Sequence, residues 1–340
     1  MKNQRERKPK EMFRDLVRQA DNLGTHTPPV KFLYEKIVAY TLENSIGKPL
    51  FEIEQEVRTL FHDVWDEPRA TDDPETIRKR ARLYEQALEI NPDPRIRYRL
   101  GRTLVDLFDD FSDNCPYTRL SSRRTWFLNA PEMKKIRRIA DSLQMGDQLD
   151  QPNGFRLDAL VYEYTADNTH GEYTDELSLS VRTSKQVSAD YHRAAKSWKR
   201  VTSCAADKRA LFSYGACLYL AVLFSKHTKK QSKNMLEIAK KALQESLHKP
   251  WSHEIADGTE AQLLYWTHKY LGNVCTVQAD LGLKKDQKYK YEALRWYTKA
   301  MSSMKKLGEL NEDTVHRFGM AKEWLKQTYR KPNSQTLEPQ

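Results

Sequence analysis

The chain has 340 residues, of which 31% are charged, with only 12 Gly and 14 Pro. That length can bury a real core, either as two compact domains or as one elongated array. Few turn residues beside long amphipathic runs exclude a many-stranded β architecture and leave an all-α chain. The net charge of +10 is unevenly placed: 27 of the 57 Lys and Arg, but only 15 of the 47 Asp and Glu, fall from Gln186 onward, so this part carries +12 and the first 185 residues carry −2. Such asymmetry points to a basic surface facing an acidic partner, or to a well-solvated helical surface.

Cys115, Cys204, Cys217 and Cys275 are scattered without a C-x-x-C pair, so neither a disulfide framework nor a zinc site is expected. Cys217 and Cys275 fall inside apolar helical patterns and read as small core residues. The first ten residues have no apolar stretch of the kind a secretory signal needs, and the longest apolar run, Ala216 to Phe224, is too short to span a bilayer. A cytoplasmic protein without membrane partners follows.

In chain order, residues 1–10 read as a disordered basic tail. Glu11 to Leu23 is an amphipathic helix, ended by Gly24 and the His26-Thr-Pro-Pro29 break. Val30 to Asn44 and Pro49 to Trp65 are two further helices of an irregular N-terminal segment, 11–70. Asp73 before Pro74 is a helix cap followed by proline at the first helical position. From there, over 71–147, helices come in pairs: Ile77 to Ile90, then Arg95 to Phe111.

Residues 148–187 interrupt the pairing. Leu157, Leu160, Val161 and Tyr164 are spaced for a helix, Thr165 to Glu176 is a polar loop, and the alternation of Leu177, Leu179 and Val181 suggests a short strand or an extended linker. The paired pattern resumes over 188–330 and ends in a helix from Asp313 to Tyr329, whose Arg317, Lys322, Glu323 and Lys326 suit an outward-facing cap. Residues 331–340 are a polar tail.

The paired helices share a signature. Leu100-Gly101, Tyr214-Gly215, Leu271-Gly272 and Phe318-Gly319 place a large residue before glycine in helical context, the last three in the C-terminal part. Partner helices carry Tyr84 and Ala87 before Pro92, Ala239 and Ala242 within Met235 to Leu247, and Ala293, Tyr297 and Ala300. The last set lies at i, i+4 and i+7, small-large-small on one face, so a neighbouring helix can come close at both alanines while the tyrosine fills the gap. The glycine permits the same approach from the other side.

These residues resemble the tetratricopeptide repeat, whose first helix reads W-x-x-L-G-x-x-Y and whose second reads A-x-x-x-F-x-x-A with a closing proline. The resemblance covers roughly 74–144 and 191–329. It implies an α-solenoid of helical hairpins whose first helices line a peptide-binding groove. Arg80 replaces a small residue in the first unit. The 27 residues from Gly215 to Ala242 and the 28 from Gly272 to Ala300 exceed the family spacing, so either the helices are longer or the connections carry insertions.

On the groove side, Lys269 and Asn273 stand at slots where some members hold a peptide's terminal carboxylate, and Arg95, Arg99 and Arg102 run at i, i+4 and i+7 along the earlier first helix. In the Gly215 unit Phe212, Ser213 and Ala216 hold those slots. On the connection side, basic stretches follow each first helix: Arg123 and Arg124; Lys229, Lys230 and Lys233; Lys284, Lys285 and Lys288. In a stacked array they would align as one basic ridge.

No phosphate-binding, dinucleotide, metalloprotease or nucleophile-elbow motif is present. His248, His253 and His268 are not spaced to share a helical face, and Asp106, Asp109, Asp110 and Asp113 read as a solvated helix end. Tyr191 to Arg200 interleaves aromatic and basic residues as single-strand binders do, although Tyr191, Ala195, Trp198 and Thr202 also form one core-type stripe. The expected protein is therefore a non-enzymatic interaction scaffold without cofactor, binding an acidic protein or peptide. The alternative is nucleic-acid association through the basic ridge.

Overall fold

The computed structural model describes residues 9–23, 74–108, 114–116, 120–147, 150–169, 185–204, 207–224, 227–249, 260–282, 286–307, 314–315 and 317–322. Every regular element among them is helical, as expected. The expected helices over 30–44 and 49–65, the alternation of Leu177, Leu179 and Val181 and the tail 331–340 lie outside the described residues, whereas Pro9 and Lys10, expected in a disordered tail, and Lys185 to Val187, expected in a strand or linker, are helical. The chain divides into two compact units, residues 1–116 with 126–157 and residues 117–125 with 158–340.

The first unit contains α1 (Pro9–Leu23), α2 (Pro74–Ile90), α3 (Pro94–Val105) and α5 (Pro131–Gln144), with parts of α4 (Leu120–Asn129) and α6 (Gln151–Thr169). Proline opens α2, α3 and α5, where its missing N–H costs nothing and its fixed φ is already helical. Asp93 caps α3, its carboxylate accepting from the Arg95 amide at 2.8 Å. Ile77, Ala81, Tyr84 and Ala87 form the buried stripe of α2. Asp21 of α1 accepts hydrogen bonds from Tyr84 of α2 at 2.6 Å and from Arg99 of α3 at 2.9 and 3.0 Å. Arg80, the residue out of pattern in α2, reaches across to Asp106 at 2.6 Å.

The second unit contains the rest of α4 and α6, with α7 (Lys185–Cys204), α8 (Lys208–Leu223), α9 (Lys229–Ser246), α10 (Glu260–Asp280) and α11 (Asp286–Leu307). Its most extensive helix contacts are α10 on α11, α7 on α8 and α8 on α9. The α8 helix is buried on nearly every side, so its sequence is apolar all round.

Gly215 and Gly272 do what the sequence assigns them. A Cβ built on Gly215 would lie 2.7 Å from Leu243 Cγ and 2.9 Å from the Ala239 carbonyl oxygen of α9. One built on Gly272 would lie 2.5 Å from Tyr297 Cε1 of α11. In each hairpin the large residue of the second helix therefore seats on the glycine of the first. Ala293 and Ala300 flank Tyr297, and all three are essentially inaccessible. In α9 the matching trio is Ala239, Leu243 and Ser246, also buried, which corrects the expected pairing with Ala242 by one register step. Gly319, by contrast, meets nothing within 4 Å.

Three expectations about connections change. The helix expected around Leu157 to Tyr164 runs over 151–169, 19 residues, so Thr165 to Thr169, expected in a polar loop, is helical. The start of this helix abuts α5, because a Cβ on Gly154 would sit 2.7 Å from the Ala140 carbonyl oxygen. Arg123 and Arg124 lie on α4 and not in a loop. Lys229, Lys230 and Lys233 belong to the first turns of α9. Thr228 explains the last: its hydroxyl accepts from the Gln231 amide at 3.3 Å and Gln231 Oε1 accepts from the Thr228 amide at 3.1 Å, a capping box that starts the helix early. The long glycine-to-alanine spacing is thus taken up by long helices, 18 residues in α9 and 22 in α11.

Candidate functional site

With Gly215 and Gly272 as equivalent origins, the first helices α8 and α10 can be laid on each other residue by residue. Six and three residues before the glycine stand Arg209 and Phe212 in α8, and Trp266 and Lys269 in α10. Each pair is spaced i, i+3, so its members lie together on one helical face. In both a cation covers a ring: Arg209 Cζ lies 5.6 Å from the Phe212 centroid, and Lys269 Nζ lies 4.9 Å from that of Trp266. The arrangement is repeated with the two partners exchanged. Such contacts stabilise by about 0.5–1 kcal/mol at exposed sites and about 2 when desolvated.

Tyr270 joins the two helices. It meets Phe212 edge-on at 5.6 Å and 88°, and Tyr219 edge-on at 5.6 Å and 87°. Trp266 adjoins it at 6.5 Å. Most of these rings are buried, but Trp266 is 38% exposed. The result is a continuous aromatic strip across two helices, with Arg209 half-buried and Lys269 buried against its rings, open at one indole. Sequence reading found Lys269 but missed Trp266, Arg209 and Tyr270. Comparing offsets from the two glycines was the signal available.

Of the other expected groove residues, Asn273 is engaged within the fold, whereas Arg95 and Arg99 are exposed on α3. Asn273 is buried, and its Oδ1 accepts from the Tyr297 hydroxyl at 2.8 Å, with Thr276 Oγ1 3.2 Å from the same hydroxyl. It belongs to the seam between α10 and α11. Arg95 folds back on Asp93 at 3.1 Å and Arg99 holds Asp21. Arg102 is half-buried on the same helix.

The ridge residues divide. Arg124 forms a two-pronged ion pair with fully buried Asp190, at 2.5 and 2.7 Å, and is internal. Arg123 is partly buried. Lys229, Lys230, Lys233 and Lys288 are exposed, and Lys284 and Lys285 lie outside the described residues. The turn at Gly282, φ 58°, runs beside the start of α9, with Lys229 Nζ 3.7 Å from where a Cβ on that glycine would stand. These two connections are therefore neighbours.

Two polar seams hold unit 2 together. Along the first, α6 presents three carboxylates to α7: Asp158 accepts from Ser197 at 2.5 Å, Glu163 from the Trp198 indole at 2.7 Å and Asp167 from Tyr191 at 2.5 Å. Burial, and then the charge of Glu163 one turn away, push the Asp167 carboxyl up to about 7. In the second, Lys240 of α9 pairs with Glu292 of α11, and Glu237 accepts from Gln278 at 2.9 Å and Tyr289 at 3.0 Å. Cys275 points at Glu292 from 3.7 Å, and burial raises its thiol to about 12. His268 stacks on Trp296 at 5.7 Å, and burial followed by nearby Lys299 lowers it to about 4.

Tyr191, Ala195 and Trp198 are inaccessible, so the interleaved aromatics of that stretch are core. Among the described residues no helix is long and apolar enough to cross a membrane. No protein-family model matches the sequence, and no curated protein is similar to it.

Proposed function

We propose that this protein is a non-enzymatic interaction scaffold, built of tetratricopeptide-like hairpins, that binds an acidic protein or peptide segment on the face shared by α8 and α10. The observation that carries the reading is the paired cation–ring motif at equivalent positions of two successive first helices, with Trp266 left open at its end. A partly exposed tryptophan has the chemistry of a binding hot spot, an apolar plate for a partner side chain, and the +12 excess of this part of the chain favours an acidic partner.

The test is recovery of partners from the native cell by pull-down with mass spectrometry, using wild type, Trp266→Ala and Trp266→Phe. Truncation of a central tryptophan costs about 2 kcal/mol or more, roughly thirtyfold in affinity. Trp266→Ala should lose the partner while Trp266→Phe keeps part of it. Unchanged recovery with Trp266→Ala removes this face from consideration. Loss only on charge reversal of exposed Lys229, Lys230 and Lys233 assigns partner binding to the connection side instead.

A further inference from the structure

The α7 helix sorts its charges by face. Its one carboxylate, Asp190, is fully buried against Arg124. The carboxylates that α6 turns toward it are each held by an inward-facing donor, Ser197, Trp198 or Tyr191. The outward face keeps only the opposite sign: His192, Arg193, Lys196, Lys199 and Arg200 are all exposed. They fall at i, i+1, i+4, i+7 and i+8, one basic stripe about 12 Å long at 1.5 Å per residue. Lys185 extends it toward the helix start.

What else the face carries decides the kind of anion. Apart from the basic residues, the exposed positions of α7 are Gln186, Ala189, Ser203 and Cys204. A protein interface needs aromatic or aliphatic anchors at its centre, and there are none. A helix lying in a membrane surface buries an apolar face in lipid, but the apolar face of α7 is spent on the core. A phosphate backbone asks only for regularly spaced cations.

We propose that the outward face of α7 is a nucleic-acid-binding surface that grips the phosphate backbone without reading sequence. Tyr191 and Trp198 are shut in the core, and the half-buried Tyr162 ring beside the stripe is covered by Arg193 at 5.4 Å, so no open ring is offered to a base and no base preference arises. The surface is distinct from the α8–α10 strip and stands or falls independently of it.

The experiment is fluorescence anisotropy of the full chain with labelled duplex and single-stranded oligonucleotides, each in two permuted sequences. Polyglutamate and phosphatidylserine vesicles serve as competitors. Four phosphates met by Arg193, Lys196, Lys199 and Arg200 give a log–log salt slope of about −3.6 for duplex and about −2.8 for single strands. Between about 50 and 200 mM salt that is roughly 150-fold and roughly 50-fold weaker binding. Permuted sequences should bind alike. The variant Lys196→Glu/Lys199→Glu/Arg200→Glu, with an unchanged circular dichroism spectrum, should bind at least about tenfold more weakly. Lys196→Gln alone should make the duplex slope shallower by about 0.9, a readout that survives if the triple variant folds poorly. Absence of binding at the lowest salt, a slope shallower than about −1, or a folded triple variant of near wild-type affinity overturns the proposal. So does competition by polyglutamate or vesicles as strong as by unlabelled nucleic acid.

Discussion

Gly272→Ala tests the packing of the second hairpin most directly. The added methyl would stand 2.5, 2.7 and 2.8 Å from three atoms of the Tyr297 ring. The ring has little room to give: it is 1% exposed, flanked by Ala293 and Ala300, and tied by its hydroxyl to Asn273. Overpacking a tight core costs about 1–3 kcal/mol, and so fixed a neighbour belongs at the upper end. Against it stands a gain of about 0.5–1 kcal/mol from removing a mid-helix glycine, leaving a net loss of roughly 2 kcal/mol. Gly319→Ala is the matched control. It lies in helical residues 317–322 with nothing within 4 Å, so only the propensity gain remains and stability should rise by about 0.5–1 kcal/mol. Urea unfolding followed by circular dichroism reads both: the midpoint falls for Gly272→Ala and rises for Gly319→Ala, with the m-value unchanged. Combining Gly272→Ala with Tyr297→Ala should add nothing to the loss from Tyr297→Ala alone, because the clash has gone. A Gly272→Ala protein as stable as wild type would refute the idea that glycine sets the approach of α10 and α11.

Other perturbations probe the first seam and its surroundings. The Asp167 pKa is about 7 in the fold against 3.8 ordinarily, so its protonated form favours folding. The stability it contributes is present below the ordinary value and lost as pH rises through about 7. Asp167→Asn should therefore raise the melting temperature at mildly alkaline pH relative to wild type and flatten the profile between the two pKa values. Asp190→Ala strands the Arg124 guanidinium and should cost about 3–5 kcal/mol, whereas Arg124→Met with Asp190→Leu should recover most of it; differential scanning calorimetry decides. In native protein, iodoacetamide should modify exposed Cys204 and spare buried Cys217 and Cys275, whose thiols burial holds protonated, until denaturant is added; mass spectrometry locates the label.

The second hairpin was legible because its instructions are local. Ala293, Tyr297 and Ala300 lie within two turns, and only Gly272 needed matching to them. In α9 the register slipped because Ala239, Ala242 and Ser246 offer several small positions, and only the partner helix selects Leu243 for Gly215. The helical start at Lys229 was written in the sequence as Thr228-Lys-Lys-Gln231, but the run of lysines masked the cap. Arg124 could not be placed from its neighbours, because its reason for burial, Asp190, lies 66 residues away. The end of the α6 helix was concealed for a related reason: Asp167 looks like a loop residue until Tyr191 of α7 supplies the donor. The aromatic strip lay hidden in the offsets between two helices, a comparison across units that periodicity within one unit does not make.

The joint between the two C-terminal hairpins has unlike edges. On the first-helix side α8 meets α10 through Phe212, Tyr219 and Tyr270, rings indifferent to dissolved ions. On the second-helix side α9 meets α11 through Lys240 and Glu292, with Tyr289 donating to Glu237. Dissolved salt reaches the second of these only weakly, because Lys240 and Glu292 are largely shielded from solvent. The joint therefore sets a greasy pivot beside a shielded ionic clasp, so replacing Lys240 or Glu292, rather than adding electrolyte, is what releases the second edge.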